Sequence, residues 1–210
     1  MTTYIIRHGR SKNNTGETAS LDSSLTPDGV SQCRMTGKFL SDTEDLSDFT
    51  IYTSPLLRCL MTTEQIILGA KGKFDSLKVV VQPLIHESLQ PNSPDVTVPL
   101  RKKDFPNYDW SLMKEELTFG PDDGRKLIHR CASAIIPFNS SDVFVSHGAT
   151  CIALALCSSQ KNPSMRDWDY SISNASITKV VNNKILWWGR ALHVPIAGSE
   201  EHLEYSNKYE

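Results

Sequence analysis

The chain alternates short apolar runs with longer stretches in which apolar residues recur every three or four positions. Short runs rich in β-branched residues predict buried strands, and the longer periodic stretches predict amphipathic helices. Strands are predicted at residues 3–6, 49–53, 78–81, 142–146, 176–181 and 184–188. Helices are predicted from Pro27 to about Leu40, from Ser54-Pro55 to about Leu68, from Pro121 to about Ile136, and from Thr150 to Cys157. Thr26 and Ser54, each followed by a proline, are the predicted N-caps of the first two helices.

Strands and helices alternate through most of the chain, a pattern typical of an α/β domain with a largely parallel sheet. No linker or repeat interrupts the pattern, so we expect a single domain over residues 1–210. The periodicity is lost from about residue 83 to residue 121, where six of the eleven prolines fall. A segment of this length predicts an insertion that acts as a lid or binding loop, with a surface excursion as the alternative.

Composition and charge exclude several classes of protein. Lys and Arg number 22 against 24 Asp and Glu, so the net charge of −2 predicts no nucleic-acid partner and no anionic membrane. No apolar run approaches the roughly 20 residues of a membrane span. The N-terminus lacks the basic and then apolar pattern of a secretory signal. The five cysteines are scattered without a CxxC pair, which predicts reduced thiols in a cytoplasmic or nuclear protein.

Reactive side chains follow the predicted strands, at the sheet edge where open α/β sheets bind ligands. They are Arg7, His8, Ser54, Arg58, His86, Glu87 and His147. Guanidinium groups match phosphate oxygens, a neutral imidazole is a nucleophile, and a carboxyl group can protonate a leaving alkoxide. No carboxylate pair or His-x-His cluster suggests a divalent metal. The residues therefore predict phosphoryl transfer through a phosphohistidine, with neither a metal nor another cofactor.

Five sequence blocks, in order, carry a family resemblance. They are residues 7–14 (Arg-His-Gly-Arg-Ser-Lys-Asn-Asn), Leu25-Thr26 with Gly29 and Gln32, residues 52–62 around Ser54-Pro55 and Arg58, Leu84 with Glu87, and residues 145–148 (Val-Ser-His-Gly). Together they resemble the histidine phosphatase superfamily, in its phosphoglycerate-mutase-like branch. The resemblance implies a three-layer α/β/α sandwich with a mostly parallel central sheet.

The resemblance also implies a role for each matching residue. His8 would be the nucleophile that carries the transient phosphate. Arg7, Arg58 and His147 would bind the non-bridging oxygens and stabilise the transition state, with His147 counted among the catalytic residues. Glu87 would protonate the leaving group and then help to activate water. Asn14 and Ser11 would line the phosphate pocket.

The chain also departs from the family pattern, as a divergent member would. Arg10 stands where many relatives carry Glu, and the Gly-x-Trp-Glu-Gly stretch that often follows the proton donor is absent. This second departure leaves Asp95 as an alternative proton donor to Glu87. Within the same segment, residues 101–103 (Arg-Lys-Lys) predict a solvated charge cluster.

These observations favour a phosphatase that acts on a small phosphorylated metabolite. A phosphoglycerate mutase needs the same pocket, but the missing glycine-rich stretch and the proline-rich segment favour hydrolysis. A catalytically weak scaffold or binding module with this fold is the alternative from another class. The expected partner is the small phosphorylated substrate, and a homodimer is compatible with the sequence.

Overall fold

Eight strands and four α-helices form the part of the chain that this computed structural model describes, residues 1–135, 142–159 and 172–191. The helices are α1 (Pro27–Thr43), α2 (Leu57–Gly69), α3 (Gly124–Ile135) and α4 (Gly148–Ser158). The strands are β1 (Thr2–Arg7), β2 (Thr50–Thr53), β3 (Lys78–Val81), β4 (Val96–Val98), β5 (Leu117–Phe119), β6 (Asp142–Ser146), β7 (Ile177–Val181) and β8 (Lys184–Arg190). The predicted spans of β3 and β6 are confirmed residue for residue, whereas the predicted helix end at Ile136 lies outside the described residues.

Six of the strands form one central sheet, in the order β3-β2-β6-β1-β7-β8. The first four run parallel to one another, and β7 and β8 add an antiparallel hairpin at one edge. The prediction of an α/β fold with a mostly parallel sheet is confirmed. Because the four parallel strands all end at the same edge, the residues that follow them are brought together there.

Helices cover both faces of the sheet, as the strand sequences require. Successive side chains of a strand point to opposite faces, so Ile5 and Ile6 enter two different cores. Ile6 packs with buried residues of α1 and α2, and Ile5 packs with buried residues of α3 and α4. Strands that are buried on both faces read as continuous apolar runs, which explains why they were recognisable in the sequence. The three-layer arrangement is confirmed.

The proline-rich segment contains more structure than its sequence predicts. A 3₁₀ turn spans Pro83–Ile85, and β4 and β5 pair as a small antiparallel sheet. Asp109 pairs with the outer edge of β3. Its carbonyl accepts from Val81 N at 2.9 Å, and its N–H donates to the Val79 carbonyl at 2.8 Å. Strands of three residues are too short to show an alternating pattern, which is why the sequence did not reveal them.

The start of α2 corrects a prediction. The Ser-Pro pair predicted Ser54 as the N-cap, but the helix begins at Leu57, and its cap residue Leu56 makes no side-chain hydrogen bond. The Leu57 N–H instead donates to Asp22 Oδ1 at 2.7 Å, from the loop after β1. By contrast, the predicted cap of α1 is confirmed, because Thr26 Oγ1 accepts the Gly29 N–H at 3.0 Å.

Two further observations bear on the predicted class of protein. In the described part of the chain no helix combines the length and the apolar character needed to cross a bilayer. All five cysteines are free thiols, and four of them are buried. Burial raises the pKa of the Cys33, Cys131 and Cys157 thiols to about 11, 12 and 11, so these thiols stay protonated at neutral pH.

Candidate active site

Two histidines lie side by side because the strands that precede them are neighbours. β1 and β6 run parallel, with Arg7 opposite Ser146, so His8 and His147 are the next residues along each chain segment. The His8 N–H donates to the Ser146 carbonyl at 2.9 Å, and the two imidazole rings have centroids 5.3 Å apart. Both side chains are buried. We call the set Arg7, His8, Arg58, Glu87 and His147 the two-histidine pocket.

The hydrogen bonds of His8 fix its tautomer. Its Nδ1 lies 2.8 Å from the Gly9 carbonyl oxygen, which can only accept, so Nδ1 carries the proton. Its Nε2 accepts from Arg58 Nε at 3.1 Å and therefore carries the lone pair. Burial, together with the positive charges of Arg58 and Arg7, lowers the pKa of His8 well below the usual value. His8 is therefore a neutral imidazole at physiological pH, with Nε2 as its nucleophilic nitrogen.

The backbone next to His8 depends on a glycine. A Cβ atom on Gly9 would lie 2.5 Å from Cys33 Sγ and 2.7 Å from the Gly29 carbonyl oxygen, both in α1. The Gly9 N–H donates to Thr62 Oγ1 of α2 at 3.0 Å. Helices α1 and α2 therefore approach the chain at His8 so closely that only glycine fits at position 9.

Arg58 connects the members of the two-histidine pocket. It is the second residue of α2 and only 3% exposed. In addition to its bond to His8, Nη2 lies 3.0 Å from Glu87 Oε2 and 2.9 Å from His147 Nδ1, while Nη1 donates to the Leu21 carbonyl. A fixed positive charge thus stands between both histidines and the carboxylate.

His147 has the opposite tautomer to His8. Arginine only donates, so His147 Nδ1 accepts from Arg58, and the proton is on Nε2, 2.9 Å from Ser54 Oγ. Burial and the charge of Arg58 lower the pKa of His147 well below the usual value. Ser54 follows β2, as the sequence indicated, and its hydroxyl lies 2.9 Å from His147 Nε2 and accepts the Leu56 N–H at a long 3.5 Å.

Glu87 and Asp95, the two candidate proton donors, lie in different surroundings. Glu87 Oε2 lies 3.0 Å from Arg58 Nη2 and 3.4 Å from His147 Nδ1, and Glu87 Oε1 accepts the Ser88 N–H at 3.0 Å. The Glu87 side chain is 21% exposed, so the carboxylate borders both the pocket and solvent. Asp95 is exposed and lies beside Gly120, where a Cβ would meet its Oδ1 at 2.4 Å. The structure therefore brings Glu87, and not Asp95, to Arg58 and His147.

Arg7 presents a donor without a partner. Its Nη1 donates to the Ile172 carbonyl, whereas its buried Nε has no hydrogen-bond partner among the described residues. A buried donor in this state is uncommon in folded proteins and calls for an explanation. A bound oxyanion next to His8 would supply the missing acceptor.

Ser11 and Asn14 bond to each other rather than to the two histidines. Asn14 Oδ1 accepts from the backbone N–H of Ser11 at 3.2 Å and from its hydroxyl at 3.0 Å. Asn174, which the sequence did not reveal, donates to the His8 carbonyl at 3.0 Å and to Asn14 Oδ1 at 3.3 Å. Ser11 and Asn174 thus hold the Asn14 oxygen in place, and the Asn14 amide N–H groups are the side chain's remaining donors.

The loop of residues 12–24 is fastened to the proline-rich segment by an ion pair. Arg101 Nη2 lies 2.6 Å from Asp22 Oδ2, and the two side chains are 15% and 11% exposed. The prediction that residues 101–103 form a solvated cluster is therefore wrong for Arg101, although Lys102 and Lys103 are exposed. Asp22 also accepts the Leu57 N–H, and the carbonyl of the preceding residue, Leu21, accepts from Arg58. The Asp22–Arg101 ion pair therefore lies next to the contacts that hold Arg58.

The pocket also brings together three potential metal ligands, contrary to what the sequence suggested. Ligand atoms of His8, Glu87 and His147 lie within 4.8 Å of one another. However, Arg58 lies 3.1 Å from His8 Nε2, 3.0 Å from Glu87 Oε2 and 2.9 Å from His147 Nδ1. A guanidinium among the three atoms opposes a divalent cation and favours an oxyanion.

Comparison with known proteins gives both a family and a fold. The sequence profile of the histidine phosphatase superfamily (branch 1) matches residues 3–188. No curated protein sequence matches the chain. Similar solved structures include phosphoserine phosphatase from Entamoeba histolytica, with a TM-score of 0.63 and 19% identity over 92% of this chain and 99% of that one.

Two further structures resemble the chain. The ecdysone phosphate phosphatase of Bombix mori, solved with tungstate, has a TM-score of 0.66 and 14% identity over 95% of each chain. The phosphoglycerate mutase of Bacillus anthracis has a TM-score of 0.63 and 18% identity over 92% of this chain and 95% of that one. At these identities the structures establish the fold but not the reaction.

Proposed function

Because the chain belongs to branch 1 of the histidine phosphatase superfamily, we propose that it hydrolyses a phosphomonoester of a small metabolite through a phosphohistidine on His8. The observation that carries this proposal is the state of His8 itself. A neutral imidazole presents the Nε2 lone pair inside a buried pocket rich in N–H donors. Such a site suits a nucleophile that must attack a charged phosphate.

In the first step the phosphate displaces the contacts that Arg58 makes. A non-bridging oxygen that accepts the Arg58 Nε–H frees the lone pair of His8 Nε2. Nε2 then attacks phosphorus, the P–N bond forms, and the bond between phosphorus and the ester oxygen breaks with its electron pair going to oxygen. Arg58 and the orphan Nε–H of Arg7 stabilise the charge on the non-bridging oxygens.

Glu87 is the proton donor in this scheme. Its protonated carboxyl gives the proton to the departing oxygen, so the product leaves as an alcohol rather than an alkoxide. The contact of Glu87 with Arg58 and its 21% exposed side chain support this role, because a departing alcohol must leave toward solvent.

The second step regenerates the enzyme. The Glu87 carboxylate takes a proton from a water molecule as the water oxygen attacks the phosphorus of phosphohistidine. The P–N bond breaks, its electron pair returns to His8 Nε2, and inorganic phosphate is released. Because the proton stays on His8 Nδ1, donated to the Gly9 carbonyl, throughout, the same tautomer serves both steps.

His147 changes its protonation state on binding phosphate in this scheme. Its Nε2–H is engaged by Ser54, so its Nδ1 must gain a proton before it can donate to a phosphate oxygen. An approaching dianion favours the charged imidazolium. Binding of phosphate or vanadate is therefore accompanied by proton uptake.

Metal independence and the class of substrate follow from different arguments. Arg58 and Arg7 already supply the positive charge that a metal ion would otherwise provide. Several structural relatives are named as phosphatases of small esters, among them phosphoserine and ecdysone phosphate. We extend that class to this chain, without naming a particular metabolite.

The test is release of inorganic phosphate from a panel of sugar phosphates, nucleotides and phosphorylated acids. We expect wild type to release phosphate from at least one member and His8→Ala to release none. His129→Ala, which removes an exposed histidine of α3, is the matched control and should keep wild-type activity. Two results would contradict the proposal: isomerisation of 3-phosphoglycerate without phosphate release, as a mutase gives, or vanadate binding without turnover of any substrate, as a scaffold gives.

A further inference from the structure

The backbone that carries Glu87 is held by one buried side chain from α3. Arg130 is 9% exposed, and its Nη1 donates to the Leu84 carbonyl at 2.7 Å and to the His86 carbonyl at 2.9 Å. Its Nη2 reaches the Glu87 carbonyl at 3.3 Å. One guanidinium therefore gathers three carbonyl groups of the four-residue segment 84–87.

The charge of Arg130 is balanced locally. Asp122 Oδ2 accepts from Arg130 Nε at 2.9 Å and from Nη2 at 2.7 Å, and each side chain is 10% exposed. A buried arginine without a carboxylate partner would be strongly destabilising. Asp122 precedes α3 and so keeps the guanidinium turned toward segment 84–87.

Two further side chains complete the attachment of this segment. Ser146 Oγ donates to the Ile85 carbonyl at 2.8 Å, and Thr150 Oγ1 donates to the His86 carbonyl at 2.9 Å. Both residues flank His147, in β6 and α4. The backbone before Glu87 is thus bonded both to α3 and to the two elements, β6 and α4, that flank the second histidine.

We propose that Arg130, oriented by Asp122, is a positioning residue that fixes the backbone at Glu87 so that its carboxyl group reaches the leaving-group oxygen. This inference rests on the proposed function of Glu87 as the proton donor. The hydrogen bonds of Arg130 in the described residues go to segment 84–87 and to Asp122, so Arg130 acts through Glu87 and not on the phosphate.

A positioning role has a signature that general destabilisation lacks. A general acid matters in proportion to how poor the leaving group is. If Arg130 serves Glu87, its loss slows cleavage of an alkyl phosphate and leaves cleavage of p-nitrophenyl phosphate, whose leaving group needs little protonation, almost unchanged. If Arg130 only supports the fold, its loss slows the cleavage of both substrates to the same extent.

The experiment measures single-turnover phosphoenzyme formation on both substrates in wild type, Glu87→Gln, Arg130→Met and the double variant. Displacement of a catalytic group by about 1 Å costs on the order of a hundredfold, so we expect that loss for Arg130→Met on the alkyl phosphate and less than about threefold on p-nitrophenyl phosphate. In the Glu87→Gln background, Arg130→Met should not slow phosphoenzyme formation from the alkyl phosphate any further. Arg125→Met removes an exposed arginine of the same helix and is the matched control.

The outcomes separate this inference from the proposed function. The positioning role is overturned if Arg130→Met slows both substrates equally, or if Arg130→Met slows the alkyl phosphate as much in the Glu87→Gln background as in wild type. In either case Glu87→Gln would still slow the alkyl phosphate more than p-nitrophenyl phosphate. If Glu87→Gln slows both substrates equally, Glu87 is not the proton donor and the inference fails as well. If wild type forms no phosphoenzyme at all, the proposed function itself is wrong.

A conservative variant guards against misfolding. Arg130→Lys keeps the charge beside Asp122 but lacks the fork that reaches three carbonyls, so it should fold, bind vanadate like wild type and show an intermediate loss confined to the alkyl phosphate. Wild-type rates for Arg130→Lys on the alkyl phosphate would overturn the inference, even if Arg130→Met fails to fold.

Discussion

Replacing Asp22 tests how the loop of residues 12–24 supports Arg58. Its carboxylate has two partners: Oδ1 accepts the first N–H of α2, from Leu57, and Oδ2 pairs with Arg101. Asp22→Ala removes the helix cap and leaves the Arg101 guanidinium, whose Nη1 is already without a partner among the described residues, with no compensating charge.

The expected cost is the sum of these two losses. Loss of a capping side chain costs about 1 kcal/mol. Breaking a buried ion pair by removing one partner costs about 3–5 kcal/mol and breaking an exposed pair costs under about 1 kcal/mol. With side chains that are 15% and 11% exposed, we place the pair between these limits, at about 2 kcal/mol. The total of about 3 kcal/mol corresponds to a fall of about 6–12 °C in Tm for a chain of this size.

The assay is urea denaturation of Asp22→Ala, Arg101→Met and the double variant, with the free energies of unfolding combined in a double-mutant cycle. Because Arg101→Met keeps most of the apolar stem, the cycle isolates the charge interaction, which should be about 1–3 kcal/mol. Asp42→Ala, which breaks an exposed pair with Lys38, should stay close to wild type. Single-variant losses that add within about 0.5 kcal/mol would refute the reasoning. A second readout is weaker vanadate binding by Asp22→Ala, because Leu21 would no longer hold Arg58.

Three further predictions concern protons, metals and packing. Buried His8, His147 and His86 have pKa values in the folded protein below the unfolded value of about 6.5, with His86 at about 4. Their contribution to stability is therefore present above about pH 6.5 and is lost as the pH falls. The free energy of unfolding, measured by urea denaturation, should fall from about pH 7.5 to about pH 4.5, and His86→Gln should make this dependence on pH less steep. Phosphate release should survive EDTA, since Arg58 stands among the three potential ligands; activity lost to EDTA and restored by a metal ion would contradict the mechanism. Gly9→Ala should lower phosphate release severely, because its Cβ would collide with Cys33 and with the Gly29 carbonyl. Gly16→Asn should keep wild-type activity, because a Cβ at this exposed position meets no atom within 4 Å and asparagine tolerates its φ of +75°. Equal activity of the two variants would contradict the packing argument.

Local sequence patterns predicted most of the fold because each pattern reflects a local cause. The β-branched runs at 78–81 and 142–146 are buried on both faces and have the predicted bounds. The Thr-Pro signal before α1 is confirmed because Thr26 caps its own helix. The similar Ser-Pro signal failed at α2, where the Ser54 hydroxyl contacts a histidine 93 positions away at 2.9 Å and the Leu56 N–H only at 3.5 Å. Short-range rules cannot register such a competitor.

The same distinction applies to the candidate site. The strand-end rule placed His8, Arg58 and His147 together, and the structure does bring them together, while their chemical roles remain predictions. Asp22, Arg130 and Asn174 carried no local signal, because their significance depends on contacts made across the fold. The Arg130 contact with the Glu87 carbonyl, for example, spans 43 positions. Any arginine in an amphipathic helix has the same local pattern.

The central claim is that His8 Nε2 carries the phosphoryl group, and trapping that intermediate tests it most directly. Wild type mixed with a radiolabelled phosphomonoester and quenched in alkaline detergent should retain label that is stable to base, is released by acid, and maps to the peptide containing His8. His8→Ala should retain none, and His129→Ala should retain as much as wild type. Label on another residue, or label that persists in His8→Ala, would contradict the account.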